Sequence, residues 1–352
     1  MVARDPWLDN AKMALVTLVV IGHAWTLLPS DGPNRHLYDF LYSWHIPAFV
    51  FVTGYLSRGF AWTRPRMWQL VRTVAVPYVL FECALALFRI HVGGERLENL
   101  FLDPHWPLWY LAALFFWRLL TPIFRPLPGS LVLAVVLSLV AGVWFSDALD
   151  LARVFGLLPF FVLGLKATPE RLELLRVRWA PGLAILVFVG IVVATSLLDG
   201  WAGTEWLYYR SMYEELTTSD LEAVLTRAAL LVIGGCGAMA FLALVPRRGG
   251  WFSTMGGATL VVYLFHGFAV KGMEYTSFPG WASDHRLSSL ILTSVAALGL
   301  SLLLAWRPVA SRLADVVDPF GWAERHTKDA AVLAGSVDEP MQDPLEPPPD
   351  QR

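Results

Sequence analysis

Three histidines and one carboxylate fall inside stretches of mostly apolar residues: His23, His45, Glu82 and His266. Ionisable groups are costly in apolar surroundings. They persist there where they handle a proton, an ion or a substrate, or where they join helices by hydrogen bonds. Histidine changes charge near neutral pH and suits proton traffic. His23 has company on its own segment. Lys12 lies eleven residues earlier and Asp9 three before that. On a helix the first separation is about three turns, so Lys12 and His23 share a face roughly 16 Å apart along the axis. Tyr38 and Tyr42 precede His45 at i−7 and i−3, and Thr259 and Tyr263 share a face with His266. No two histidines have the i,i+4 spacing of a helical metal site, and no metal is expected.

The elements that position these groups follow from composition. Hydrophobic residues make up 56% of the 352 and charged residues 16%, with sixteen Trp. Soluble domains carry about 25% charge, and Trp favours membrane interfaces. The expected fold is an all-α integral membrane protein. Ten stretches approach the roughly 20 apolar residues of a spanning helix: Met13–Leu28, Leu37–Leu56, Trp68–Ile90, Pro107–Phe124, Ser130–Phe145, Ala152–Leu165, Pro181–Leu198, Ala223–Val245, Trp251–Val270 and Leu287–Trp306. Ala152–Leu165 is short enough to be tilted or broken. Pro47 should bend the second stretch. The first stretch is read as an uncleaved span, because no small-residue cleavage pattern follows it.

Charge sets the expected orientation. With the N-terminus in the cytoplasm, sixteen Lys and Arg fall in inner segments, among them Arg58, Arg64, Arg66, Arg72, Lys166 and Arg247, and eight in outer ones. That bias predicts a multi-pass protein of the cell membrane with about ten helices and both termini cytoplasmic. Residues 1–312 form the expected membrane domain. Residues 313–352 form a cytoplasmic tail, expected to be disordered from about 320 because it is rich in Pro and acid. The longest outer loop, Asp199–Glu222, is acidic and aromatic. Cys83 and Cys236 both sit in apolar segments and read as small buried hydrophobes. The net charge of −2 is uninformative about partners.

Several short runs together resemble the membrane acyltransferase 3 family, nearest its branch related to fucose 4-O-acetylases. The run Arg4-Asp5-Pro6-Trp7-Leu8-Asp9-Asn10-Ala11-Lys12 leads into Val19-Val20-Ile21-Gly22-His23, with a basic residue, ten residues and a histidine. Tyr42-Ser43-Trp44-His45-Ile46-Pro47, Thr53-Gly54-Tyr55-Leu56, Arg72 with Pro77-Tyr78, Leu108-Trp109-Tyr110-Leu111 and Val262-Tyr263-Leu264-Phe265-His266-Gly267 follow in order. Lys12 stands where that family more often has Arg, and Thr53 where Ser is usual. The resemblance implies transfer of an acyl group, usually acetyl, from cytoplasmic acyl-CoA to a hydroxyl on the far side of the membrane. The acceptor would be a glycan, a lipid-linked sugar or a glycosylated small molecule.

Under that resemblance His23 is the expected general base, with His45 or His266 assisting it and Lys12, Asp9 and Glu82 completing the catalytic set. Arg58, Arg64, Arg66 and Arg72 are expected at the phosphates of the acyl-CoA, although the same arginines also serve as a topology signal. Tyr42, Trp109 and Tyr263 are expected at the acceptor. Acyl-CoA is a co-substrate, no cofactor is tightly bound, and membrane lipid rather than nucleic acid surrounds the chain. A transporter or flippase using the His and Glu set as a proton relay, or an assembly protein whose polar groups only join helices, would carry the same residues.

Overall fold

The computed structural model describes residues 5–97, 104–144, 150–197, 201–216, 219–324 and 327, and these are helical with no strand. Helix α1 (Pro6–Ala24) opens with two devices of a helix start: Asp5 accepts from the Trp7 amide at 2.9 Å, and Pro6 fills the first position. Helices α2 (Gly32–Tyr42) and α3 (His45–Ser57) follow, then α4 (Arg64–Leu70), a π-helical turn (Val71–Ala75) and α5 (Val76–His91). Next come α6 (Trp109–Phe124), α7 (Ser130–Trp144), α8 (Leu151–Gly156), α9 (Leu158–Lys166), α10 (Pro169–Glu173) and α11 (Ala180–Ser196). The chain continues through α12 (Tyr213–Leu216), α13 (Asp220–Leu244), α14 (Trp251–Met255), α15 (Thr259–Glu274), α16 (Phe278–Asp284), α17 (Arg286–Ala305) and α18 (Arg307–Val317).

Several expected spans are broken, and prolines mark the breaks. Leu37–Leu56 is two helices. Pro47 lies in the first turn of α3, where its missing N–H costs nothing, so the chain restarts at His45 instead of bending. Pro159 likewise opens α9, which splits Ala152–Leu165 at Leu157. The expected span Trp251–Val270 is interrupted at Gly256, which lies so close to the α1 backbone that a Cβ would meet the main chain of Asp9. In the α4–α5 rod the ladder re-spaces ahead of Pro77, which cannot donate, giving the π-helical turn. Among the described residues, four helical segments are long and apolar enough to cross a membrane: Pro6–Leu27, Arg64–His91, Asp220–Leu244 and Arg286–Ala305. A fifth candidate, Pro169–Arg176 with Ala180–Ser196, is bent by 86°.

The outward faces of several helices are apolar. Leu287, Ile291, Val295 and Leu298 are exposed along one side of α17, and Leu186, Val189 and Val193 along α11. Such stripes are unstable in water and natural against lipid. Cys83 on α5 and Cys236 on α13 are exposed and are not the buried residues expected.

Helix α1 is the hub, packed against α3, α14, α15 and α17. Asn10 holds it to the far end of α13, donating to the carbonyls of Pro246 at 2.8 Å and Arg248 at 3.1 Å. The most intimate crossing is α3 on α9. A Cβ at Gly54 would meet the Phe161 carbonyl, and one at Gly164 the Phe51 carbonyl, so two glycines on facing helices bring the backbones together.

The bundle has two chemically distinct ends. At the Asp5 end, Arg247 lies over the Trp7 ring at 4.4 Å and Arg72 bonds Asp318 at 2.7 Å. At the Ala24 end, Arg286 grips Asp31 through both guanidinium nitrogens at 2.8 and 3.0 Å, and Arg89, Tyr275 and Lys271 converge on Glu95. The hydrogen bond from Arg89 foremost, then that from Tyr275, holds the Glu95 carboxyl down to about 2, against burial acting the other way. The expected domain boundary after residue 312 falls inside α18, and helical chain continues over 319–324. The rest of the expected tail lies outside the described residues.

Candidate active site

Helix α1 delivers His23 and α15 delivers His266 to one point. His23 Nδ1 and His266 Nε2 are 2.8 Å apart, with both side chains buried. The second nitrogen of His266, Nδ1, is 3.2 Å from the Val262 carbonyl of its own helix. A carbonyl only accepts, so His266 carries its proton on Nδ1 and offers Nε2 as a lone pair. His23 must then donate from Nδ1. Its Nε2 remains as the proton-accepting atom of a ring that lines a large cavity. The order of partners thus sets both tautomers.

That cavity, of about 540 Å³, opens toward the Ala24 end and is walled by aromatic and cationic groups. Trp106 packs against the His23 ring at 4.4 Å between centroids, and Trp109, Tyr38, Tyr42 and Tyr208 complete the wall. Arg153 stacks on Trp109 at 4.8 Å, reaches Asp150 at 3.2 Å and donates to the Tyr208 carbonyl at 3.2 Å. Arg210 lies 3.7 Å from the same Asp150 carboxylate. The loop after α11 supplies Leu207, Tyr208, Arg210 and Ser211, so the acidic and aromatic connection predicted outside the membrane forms one side of the cavity.

A second cavity, of about 260 Å³, approaches from the Asp5 end. Lys12 and Arg118 are its cations. Thr53, Tyr110, Thr259 and Tyr263 add hydroxyls, and Leu56, Val74, Leu111 and Leu114 make it largely apolar. Lys12 pairs with Asp9 at 2.8 Å on α1. Consecutive residues line different cavities, Trp109 the His23 cavity and Tyr110 this one, and the Tyr263 ring of this cavity lies 6.0 Å from that of His266, the partner of His23.

The other sequence-predicted residues have definite places. His45 donates from Nδ1 to the Leu41 carbonyl at 2.7 Å and meets Tyr42 edge-on at 4.7 Å. Its Nε2 is buried with no partner among the described residues. It is near the His23 cavity but does not bond His23. Glu82 does not join His23 and His266: it accepts from the backbone amide of His105 at 3.0 Å and also bonds the His105 ring. It therefore braces the Trp106–Pro107 segment, whose Pro107 carbonyl in turn accepts from Tyr263. Tyr42 and Trp109 line the His23 cavity, whereas Tyr263 lines the other.

The four predicted arginines do not gather at the Lys12 cavity. Arg58 folds onto the helix end, bonding the carbonyls of Tyr55 at 2.9 Å and Ala167 at 2.8 Å. Arg64 is exposed, Arg66 bonds Gln69 at 3.3 Å on the surface, and Arg72 is held by Asp318 and by Glu324 at 3.1 Å. Sequence reasoning missed Arg118 and Arg153 as cavity cations because it counted both only as topology charges. It also missed His105, whose role depends on contact with a helix 23 residues away. Trp106, between His105 and Pro107, carried a usable signal: a polar and aromatic run at the mouth of an apolar segment. Among the described residues no cluster of three or more His, Cys, Asp or Glu could hold a metal.

The chain is 24% identical over 345 residues, covering 89% of each chain, to the nodulation protein NolL of Mesorhizobium japonicum. No solved structure matches the chain. The sequence profile of an acyltransferase domain, the acyltransferase 3 family, matches residues 5–307, which include both histidines and both cavities. With that match spanning all but the first few residues and the C-terminal segment, the chain belongs to the acyltransferase 3 family and is a membrane acyltransferase.

Proposed function

We propose that this acyltransferase moves an acetyl or other acyl group from cytoplasmic acyl-CoA to a sugar hydroxyl across the membrane. In this reading it is a multi-pass protein of the cell membrane with about ten crossings and cytoplasmic termini. The Asp5 end then faces the cytoplasm, in keeping with the sixteen-to-eight distribution of Lys and Arg along the sequence. The short and broken helices cross in pairs, as protein-lined non-helical breaks permit.

The observation that carries the proposal is the His23–His266 pair beside the cavity that His23 lines, with the His23 Nε2 lone pair left for the substrate. The acceptor hydroxyl enters the His23 cavity, where aromatic faces and Arg153 suit a sugar ring. The acyl thioester approaches through the apolar Lys12 cavity, with Lys12 and Arg118 toward the negatively charged donor. Nε2 of His23 takes the hydroxyl proton as the oxygen attacks the thioester carbonyl. The carbon–sulfur bond then breaks, the ester forms, and the CoA sulfur leaves with the proton returned from His23. His266 holds the tautomer and shares the positive charge that develops on His23. Asp9 keeps Lys12 directed along α1, while His45 and Glu82 act through the packing of Tyr42 and Trp106.

The test is a transfer assay. Purified protein in liposomes is given radiolabelled acetyl-CoA and candidate glycans. Label appearing in the glycan with release of free CoA is the expected result. Movement of the glycan across the liposome membrane without thioester turnover overturns the proposal and indicates a transporter.

A further inference from the structure

Arg227 is a cation buried in an apolar helix. It lies about two turns into α13 and is 2% exposed. Among the described residues no carboxylate pairs with it, and its Nε and Nη1 have no hydrogen-bond partner. Three rings of the segment after α11 surround it instead. The guanidinium carbon is 4.4 Å from the Tyr209 ring centre, 5.6 Å from that of Tyr213 and 5.8 Å from that of Trp206. The faces of aromatic rings carry the negative part of their quadrupole, so they attract a cation, and more strongly when water is excluded.

The same segment presents its other side chains to the His23 cavity. Leu207, Tyr208, Arg210 and Ser211 line that cavity, whereas Trp206, Tyr209 and Tyr213 are gathered at Arg227. The alternation turns on Tyr209, whose backbone is left-handed with φ 57°. A bulky residue adopts that conformation only where its surroundings over-determine it. Those surroundings are on the page. A Cβ at Gly156 of α8 would crowd Tyr209, and one at Gly142 of α7 would collide with the Tyr213 ring, so both rings seat against bare backbone. Tyr213 donates to the Leu139 carbonyl at 2.9 Å, and Trp206 stacks on Tyr213 at 5.5 Å. On the other flank Thr204 donates to Asp39 of α2 at 2.8 Å, and Tyr208 donates to the Tyr38 hydroxyl at 3.0 Å.

We infer that Arg227 is a positioning residue of this acyltransferase. Its charge pins the rings of Trp206, Tyr209 and Tyr213, and so sets where Tyr208 and Arg210 stand in the His23 cavity. It touches no reacting atom. An apolar side chain would fill the same space, but only a cation is drawn to the ring faces, which accounts for a charge at this depth in an apolar helix. The fastening stands on these contacts alone; that the fastened wall meets the acceptor rests on the proposed function.

The experiment reads the wall separately from transfer. Hydrogen exchange followed by mass spectrometry on the purified full chain compares the wild type with Arg227→Met, which keeps the bulk, and Arg227→Lys, which keeps the charge. The Trp206 and Tyr209 amides, bonded to the carbonyls of Gly203 and Trp206, report on the segment. In Arg227→Met exchange over 203–213 should quicken by about tenfold, in keeping with a desolvated cation–π contact, with α3 and α9 unchanged. Arg227→Lys should stay within about threefold of the wild type. Trp206→Leu, which removes one ring and leaves the cation, should give the Arg227→Met pattern more weakly. Acetyl transfer from acetyl-CoA to methyl glycosides of glucose, galactose and N-acetylglucosamine supplies the kinetics. The KM for glycoside should rise by about tenfold in Arg227→Met and little in Arg227→Lys, with the KM for acetyl-CoA unchanged. Unchanged exchange in Arg227→Met, acceleration spread equally to α3 and α9, or equal losses in the Met and Lys variants overturns the inference. So does faster exchange with an unchanged KM for glycoside. If the wild type transfers to no glycoside, the acceptor reading fails instead, and the exchange comparison alone decides on Arg227.

Discussion

The two cavities lined by the consecutive residues Trp109 and Tyr110 are made of different materials. The one at the Asp5 end is narrow and apolar, built wholly from helices, with Lys12 and Arg118 as its cations. The one at the Ala24 end is twice as large, and part of its wall is a loop fastened by hydrogen bonds. Helical walls fix a shape, whereas loop walls tolerate change in sequence. Under the proposed function, the difference teaches that the donor side is built around one chemical species, while the acceptor side can be re-cut without disturbing the helices between them.

The sharpest way to break this comparison is at the histidine pair. His23→Gln keeps bulk and hydrogen bonding but cannot accept the hydroxyl proton. Acyl turnover should fall by about two decades or more, with membrane insertion and acyl-CoA binding retained. Near-normal turnover in the Gln variant would make His23 a packing residue and the two cavities unrelated.

A smaller effect separates the donor cavity from the surface around it. Lys12→Ala with Arg118→Ala should raise KM for acyl-CoA by about tenfold, or about 1.4 kcal/mol. The combined Ala variants of Arg64, Arg66 and Arg72, which do not line the cavity, should raise it less. Steady-state kinetics at two salt concentrations decides, because charges near solvent lose effect as salt rises. A larger change from the surface arginines would move the donor phosphates out to that loop.

The smallest effect concerns the clamp at the Ala24 end. Glu95, held down to about 2 mainly by Arg89, has a folded-state value below its ordinary 4.5. The stability it lends is therefore present above the ordinary value and is lost as pH falls toward 2. In thermal unfolding the wild type should exceed Glu95→Gln near neutral pH, and the gap should close on acidification. A gap that stays constant with pH would remove the carboxylate from the account.

Much of this arrangement was legible in the residues, for identifiable reasons. His23, with Lys12 and Asp9 on one helical face, needs only helical periodicity, and α1 keeps that face. The aromatic loop 201–216 announced itself by composition. What failed was whatever depends on chain segments far apart. Nothing in a sequence pairs position 23 with 266, so the choice between His45 and His266 as the direct partner stayed open until α15 was laid against α1. Glu82 was grouped with the histidines because it is ionisable and lies in an apolar stretch, but that says nothing about which way its side chain points. Arg58 looked like a phosphate ligand because free carbonyls at the ends of α3 and α9 leave no mark in sequence. The break at Gly256 left no mark in hydropathy, whereas Pro47 and the shortness of Ala152–Leu165 had already marked the other two regions.

The glycine crossing of α3 and α9 has a mechanical consequence. Where Gly54 and Gly164 bring two backbones into contact, no side chain remains to rotate or slide as a cushion. The two helices are riveted and can travel only as one strut. His45 and Thr53 ride on that strut, whereas His266 and Tyr263 ride on α15, which is not joined to it by such a rivet. Any motion that leaves this crossing intact therefore carries His45, Thr53 and α9 together.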